Sequence, residues 1–139
     1  MPTVKAIMKP VVNIAPTSTV LEAARIMKES GRGSLLVLDG KITTGIITER
    51  DLVTRVMAND MRHTTPVSEI MSSPLVTVGA DTTLKQAARI MSERGIRRLP
   101  VTEGGEVVGI VPASDVLHHL SRKTLTEGIW EALIIGHQK

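Results

Sequence analysis

The 139-residue chain has no cysteine, no phenylalanine and no tyrosine, and its one tryptophan is Trp130. Without thiols there can be no disulfide, thiolate metal site or thiol nucleophile, and a reducing, cytoplasmic location is the expectation. With almost no aromatic rings there is no stacking platform for single-stranded nucleic acid. The core must therefore come from Ile, Leu, Val, Met and Ala. No apolar run approaches the roughly 18 residues of a membrane span, and Met1-Pro2-Thr3-Val4-Lys5 carries no apolar signal segment, so no membrane partner is expected. An excess of one charge is missing too. Seventeen Lys and Arg against fourteen Asp and Glu leave a net charge of +3, mixed along the chain. That implies mild attraction to anions, and nucleic acid is not an expected partner. His118 and His119 are adjacent and point to different helix faces, while His63 and His137 fall in loops or tails, so no metal site is expected. No Ser-His-Asp or paired-carboxylate arrangement emerges, and no catalytic residue is assigned.

What the chain does have is a duplication. Gly45-Ile46-Ile47-Thr48-Glu49-Arg50-Asp51 reads as an apolar strand that stops at a hydroxyl, turns, and starts a helix with a carboxylate in its first turn. The arrangement returns 64 positions on as Gly109-Ile110-Val111-Pro112-Ala113-Ser114-Asp115. Before the first copy, residues 4–14 read as an opening segment and a short strand. Thr19 and Glu22 fit a capping box, in which each side chain satisfies a helix amide. Val20, Ala23, Ala24 and Met27 then follow at one-face helical spacing, and Gly31 fits a left-handed C-terminal cap. Ser34–Leu38 and Ile42–Ile47 form a hairpin through Asp39-Gly40. Thr48 starts a second helix whose apolar side is expected to be Leu52, Val53, Val56 and Met57. Residues 59–65 read as a linker.

The second half repeats this order. Val76-Thr77-Val78 is the short strand, and Thr83 with Gln86 the capping box. Leu84, Ala87, Ala88 and Met91 form the helical face, and Gly95 the cap. Leu99–Thr102 and Val107–Val111 form the hairpin; Val116, Leu117 and Leu120 belong to the last helix. Each half is β-α-β-β-α, and about 60 residues are marginal alone. The expected fold is therefore α+β, two such repeats packed sheet to sheet with pseudo-twofold symmetry and related clefts between them. The expected domains are residues 4–60, residues 67–121, and a C-terminal extension, 122–139, with Ile129, Trp130, Leu133 and Ile134 on a short amphipathic helix or docking tail.

The doubled pattern resembles a tandem pair of cystathionine-beta-synthase (CBS) domains. The residues that carry the likeness are Ile7-Met8 and Ile70-Met71, Ala23-Ala24-Arg25-Ile26-Met27 and Ala87-Ala88-Arg89-Ile90-Met91, and the two Gly-to-Asp segments. The resemblance implies a regulatory module that binds AMP, ADP, ATP or S-adenosylmethionine, requires no other cofactor, commonly forms a homodimer, and acts on a protein target that the sequence does not identify. It also implies which residues bind. Thr48 and Asp51 would hold the ribose, Arg97 and Arg98 the phosphate, and Val76, Thr77 and Val78 would wall the adenine, with Pro100 alongside. The related cleft, with Asp115, Ser114, Arg32, Ser34 and Ile14, is weaker. There Pro112 stands where the hydroxyl should be, and proline brings neither a hydroxyl nor a backbone donor.

The residue types suit these roles. An ionised carboxylate accepts from both ribose hydroxyls, and arginine's planar fork matches phosphate oxygens. Short Val and Ile strands give adenine an apolar slot. Other roles compete. Thr48 and Asp51 also read as a capping box, Arg97-Arg98 as a solvated pair, the methionines as core filler, and Gly45 and Gly109 as packing positions. The alternative function is a ligand-free dimerisation scaffold.

Overall fold

Two three-stranded sheets carry the fold. The computed structural model describes residues 2–120, so the expected C-terminal helix and His137 lie outside the described residues. The first sheet contains β1 (Asn13–Ile14), β2 (Ser34–Asp39) and β3 (Ile42–Thr48) in that order. The second contains β4 (Val78–Gly79), β5 (Arg98–Glu103) and β6 (Glu106–Pro112). In each, the short strand runs parallel to the next, with Ile14 beside Val37 and Val78 beside Val101, and the other two form an antiparallel hairpin. A parallel neighbour needs a crossover, and helices α2 (Val20–Ser30) and α4 (Leu84–Arg94) supply it. The two copies belong to one α+β class.

Local signals start and stop these helices. Thr19 Oγ1 accepts from the Glu22 amide at 3.1 Å. At Thr83 both halves of the box form: its hydroxyl accepts from the Gln86 amide at 3.1 Å, and its own amide donates to Gln86 Oε1 at 2.9 Å. Gly31 and Gly95 close the two helices at φ of 67° and 63°, where a side chain would be strained. Leu84, Ala87, Ala88 and Met91 are all buried; of the corresponding four in α2, Ala24 is half-buried. Because Thr83→Ala removes the hydroxyl acceptor, it is expected to cost about 1 kcal/mol, measurable as a lowered midpoint in urea unfolding.

The chain forms two compact units whose limits differ from those of the sequence repeat. One holds the residues up to Pro10 and those from Val76 onward, and the other holds Val11–Leu75. The opening segment of each copy therefore packs in the unit of the other. Residues 4–14 are not a simple strand lead-in: Val4–Ile7 forms a short helix, α1. Its Val4 amide donates to Thr82 O at 2.8 Å, and Lys9 exchanges backbone bonds with Ile110, both at 2.9 Å. In the other unit, Ser72 exchanges backbone bonds with Ile46 at 2.9 and 3.1 Å. Residues 59–65, expected as a linker, are tied within this unit, where the Val20 amide donates to Thr65 O and the Leu21 amide to His63 O.

Gly45 and Gly109 are packing positions. The hairpin register shifts at Val37/Leu38 and again at Val101/Thr102, opposite these glycines. A Cβ at Gly45 would lie 2.5 Å from Met71 Sδ and 2.9 Å from Ser72 O; at Gly109 it would overlap the Met8 side chain. The paired Ile-Met anchors of the sequence are thus wedges, each seated on a glycine of the other copy's hairpin.

Each unit has its own aliphatic core. Leu84, Met91, Leu99, Val101, Val111 and Val116 fill one, and Leu35, Val37, Ile47, Val56, Val67 and Ile70 the other. The helix after Thr48 departs from expectation. It begins as α3 (Glu49–Asp51) and widens into a π-helix over Leu52–Met57, with the Ala58 amide donating to Val53 O and the Met61 amide to Val56 O. Val56 is buried and Leu52 half-buried, but Val53 is 59% and Met57 76% exposed. The expected apolar side was drawn too wide, since residues one place along a helix point about a quarter-turn away. The corresponding helix of the second copy, α5 (Ala113–His119), stays α-helical and buries Val116 completely.

Candidate functional site

Thr48 ends β3 and caps α3, and the two candidate ribose residues form the capping box that their spacing allows. The Thr48 amide donates to Asp51 Oδ2 at 2.9 Å, and the Asp51 amide donates to Thr48 Oγ1 at 3.2 Å. Beside them, the Glu49 amide donates to Gly33 O at 3.0 Å, and Ser34 pairs with Thr48 across the hairpin. Asp51 is 8% exposed, one of two buried polar residues among those described; the other is Ser34. A buried carboxylate has to be satisfied. The second oxygen, Oδ1, lies 3.5 Å from Arg55 Nε. Arg55 Nη1 also donates to the carbonyls of Ile70 at 2.8 Å and Met71 at 3.3 Å. An ionised carboxylate offers about four lone-pair directions, so the cap and Arg55 leave room for outside donors.

The corresponding turn of the second copy is built differently. Pro112 has no side-chain oxygen, so α5 has no hydroxyl cap. The Ala113 amide is instead satisfied by Arg97 O at 2.8 Å, and Arg98 pairs with Pro112 in the ladder. Asp115 is half-buried, and its Oδ2 lies 3.3 Å from Lys9 Nζ. Ser114 is exposed.

Within each unit, then, the structure brings Thr48 and Asp51 together with Gly33 and Ser34, and Arg97 and Arg98 together with Pro112 and Ala113. Arg32, Arg97 and Arg98 are half-buried. Ile14 and Val78 are core residues whose side chains are spent on packing. Val76 is half-buried, Thr77 exposed and Pro100 buried. The expected Val76-Thr77-Val78 strand begins only at Val78, so an adenine wall here would rest on Val76 and Thr77, which precede β4, and on backbone more than on the Val78 side chain. An open groove of about 360 Å³ on α4, lined by Thr82, Gln86, Arg89, Ile90 and Glu93, involves none of these residues.

Two residues that sequence reasoning missed are Arg55 and Lys9. Arg55 follows Asp51 at i+4, a spacing at which helix side chains meet, and it could have been found. Nothing local in the sequence links Lys9 to Asp115. Among the described residues there is no cluster of metal ligands, and no helix is long and apolar enough to cross a membrane.

The sequence profile of the CBS domain matches residues 4–58 and 67–122. The CBS domain-containing protein YhcV of Bacillus subtilis is 36% identical over 106 residues, which cover 76% of each chain. An inosine-5'-monophosphate dehydrogenase of Korarchaeum cryptofilum is 35% identical over 131 residues, covering 94% of this chain and 26% of that enzyme. Among solved structures, a conserved CBS-domain protein of unknown function from Thermoplasma acidophilum superposes with a TM-score of 0.86 at 28% identity, over 99% of this chain and 76% of its own. Two matched copies, two like sheets and two strand-to-helix turns with their carboxylates agree: the chain belongs to the CBS-domain family and carries a tandem pair of these domains.

Proposed function

We propose that this chain is a non-catalytic regulatory module that binds an adenosine compound — AMP, ADP, ATP or S-adenosylmethionine — and signals occupancy to a protein target. The observation that carries this is the Thr48–Asp51 turn, where a carboxylate that is nine-tenths buried is held in place with accepting capacity to spare. Arg97 and Arg98 supply the phosphate forks, and Val76 and Thr77 an edge for the base. A ligand shifts an equilibrium only by its differential affinity for the two states, so the compound has to bind one conformational state more tightly than the other. No other resident cofactor is required. The site around Asp115 is the weaker one, because Pro112 replaces the hydroxyl and α5 lacks the side-chain cap that holds Asp51 in place.

Thermal melting with AMP, ADP, ATP and S-adenosylmethionine tests the proposal. A ligand at a hundred times its Kd adds about 2.7 kcal/mol to stability. A melting point unmoved by all four contradicts it.

One observation favours the second function, a dimerisation scaffold. Val53 and Met57, four residues apart on one helix, are among the largest exposed apolar side chains described. Such a pair fits the self-complementary patch of a homodimer. Met57→Lys should then halve the mass found by analytical ultracentrifugation without lowering the melting point of the fold. An unchanged mass would remove this face from consideration.

A further inference from the structure

In both copies a cation joins the strand-to-helix carboxylate to the segment that leads the chain into the other unit, but the cation comes from opposite sides. In the first copy it belongs to the helix. Arg55 reaches Asp51 Oδ1 with Nε at 3.5 Å and the Ile70 and Met71 carbonyls with Nη1 at 2.8 and 3.3 Å. Met71 is the wedge on Gly45, Ser72 is bridged to Ile46, and the chain leaves this unit after Leu75. In the second copy the cation belongs to the crossing segment itself. Lys9 Nζ lies 3.3 Å from Asp115 Oδ2, the neighbouring Met8 is the wedge on Gly109, Lys9 is bridged to Ile110, and the chain leaves after Pro10. The residue 64 positions after Arg55 is His119, whose Nδ1 meets Asp115 O at 2.8 Å, so the Arg55 link is not itself repeated. The same two parts are tied in both copies by unrelated residues, which is more than helix capping needs.

We infer that Arg55 is a positioning residue that fixes the Asp51 carboxylate for the ribose and passes its occupancy to the Ile70–Ser72 segment; this rests on the ribose role of Asp51 proposed above. A guanidinium shared between a carboxylate and two carbonyls responds when other donors claim the carboxylate. Ribose hydroxyls on Asp51 weaken its hold on Arg55, and the fork turns more of its charge to the Ile70 and Met71 carbonyls. The crossing segment then docks more firmly. Lysine, a point charge without a planar fork, can serve the carboxylate or the carbonyls but not both.

The test uses the full chain, with AMP and 2'-deoxy-AMP as probes. Calorimetry gives affinity, and amide exchange is followed at Ile46 and Ser72. Arg55→Met should weaken AMP about tenfold, the loss of one charge-assisted contact, and bring the two probes to near-equal affinity. In the ligand-free protein, exchange at Ile46 and Ser72 should quicken about tenfold. Arg55→Lys should recover part of the AMP affinity and none of the protection at Ser72. If AMP binds the wild type in an Asp51-dependent way while Arg55→Met keeps both the preference for AMP and the protection, the positioning role is overturned. If the wild type binds neither probe, the ribose assignment fails before any substitution is made, and this inference falls with it.

Discussion

Replacing Asp51 by alanine is expected to abolish the melting-point rise that the proposed adenosine ligand would give the wild-type protein. The carboxylate would accept from both ribose hydroxyls, and each such charge-assisted bond is worth about 1.5–3 kcal/mol. Losing two weakens binding by at least about a hundredfold. The same substitution removes half of the capping box at Thr48, which costs about 1 kcal/mol, and takes the partner of Arg55 away. Asp51→Asn separates the two losses. Its amide oxygen can still accept from the Thr48 amide, so the fold should melt near the wild-type temperature, while the missing charge weakens the ligand. A nucleotide shift of equal size in wild type and Asp51→Ala would show that this carboxylate does not touch the ligand.

The largest loss of stability is expected at Gly45. Valine there has to place carbon where Met71 Sδ and the Ser72 carbonyl already lie. Overpacking of this kind costs about 1–3 kcal/mol and occasionally more, which lowers the melting point by several degrees for a chain of this size. The matching glycine gives a built-in comparison. At Gly109 the nearest atoms all belong to the Met8 side chain, whereas at Gly45 one of them is backbone. Replacing Met8 by glycine, which removes all three close atoms, should therefore relieve Gly109→Ala more than replacing Met71 by glycine relieves Gly45→Ala, where the Ser72 carbonyl stays. Equal relief in the two pairs would mean that the Ser72 carbonyl yields as easily as a side chain.

How much of this was legible follows the range of each interaction. The duplication, the T-x-x-[EQ] starts and the Gly31 and Gly95 stops are local signals, and the structure holds them where the sequence puts them, except that at Thr19 only the hydroxyl half of the expected box forms. The wedges at Gly45 and Gly109 were half visible. The glycines read as packing positions, but nothing in the sequence says that Met71 and Met8 are what they make room for. The limits of the units were not legible, because repeat spacing records copies of sequence and the opening segment of each copy packs with the other. Val53 and Met57 misled because apolar residues next to a buried position need not share its face. At the candidate site, the capping geometry of Thr48 and Asp51 was readable from a three-residue spacing. Arg55 could have been read at i+4, whereas Lys9 reaches Asp115 only through the tertiary fold.

The proposed ligand contacts are ribose on Asp51 and phosphate on Arg97 and Arg98. The direct measurement is a calorimetric double-mutant cycle with Asp51→Asn and Arg98→Met, run with AMP and with adenosine. Asp51→Asn is expected to weaken both compounds and Arg98→Met to weaken AMP alone, with the AMP losses combining in one binding event of unchanged stoichiometry. AMP and adenosine affinities that are equal in every variant, or that ignore both substitutions, would contradict it.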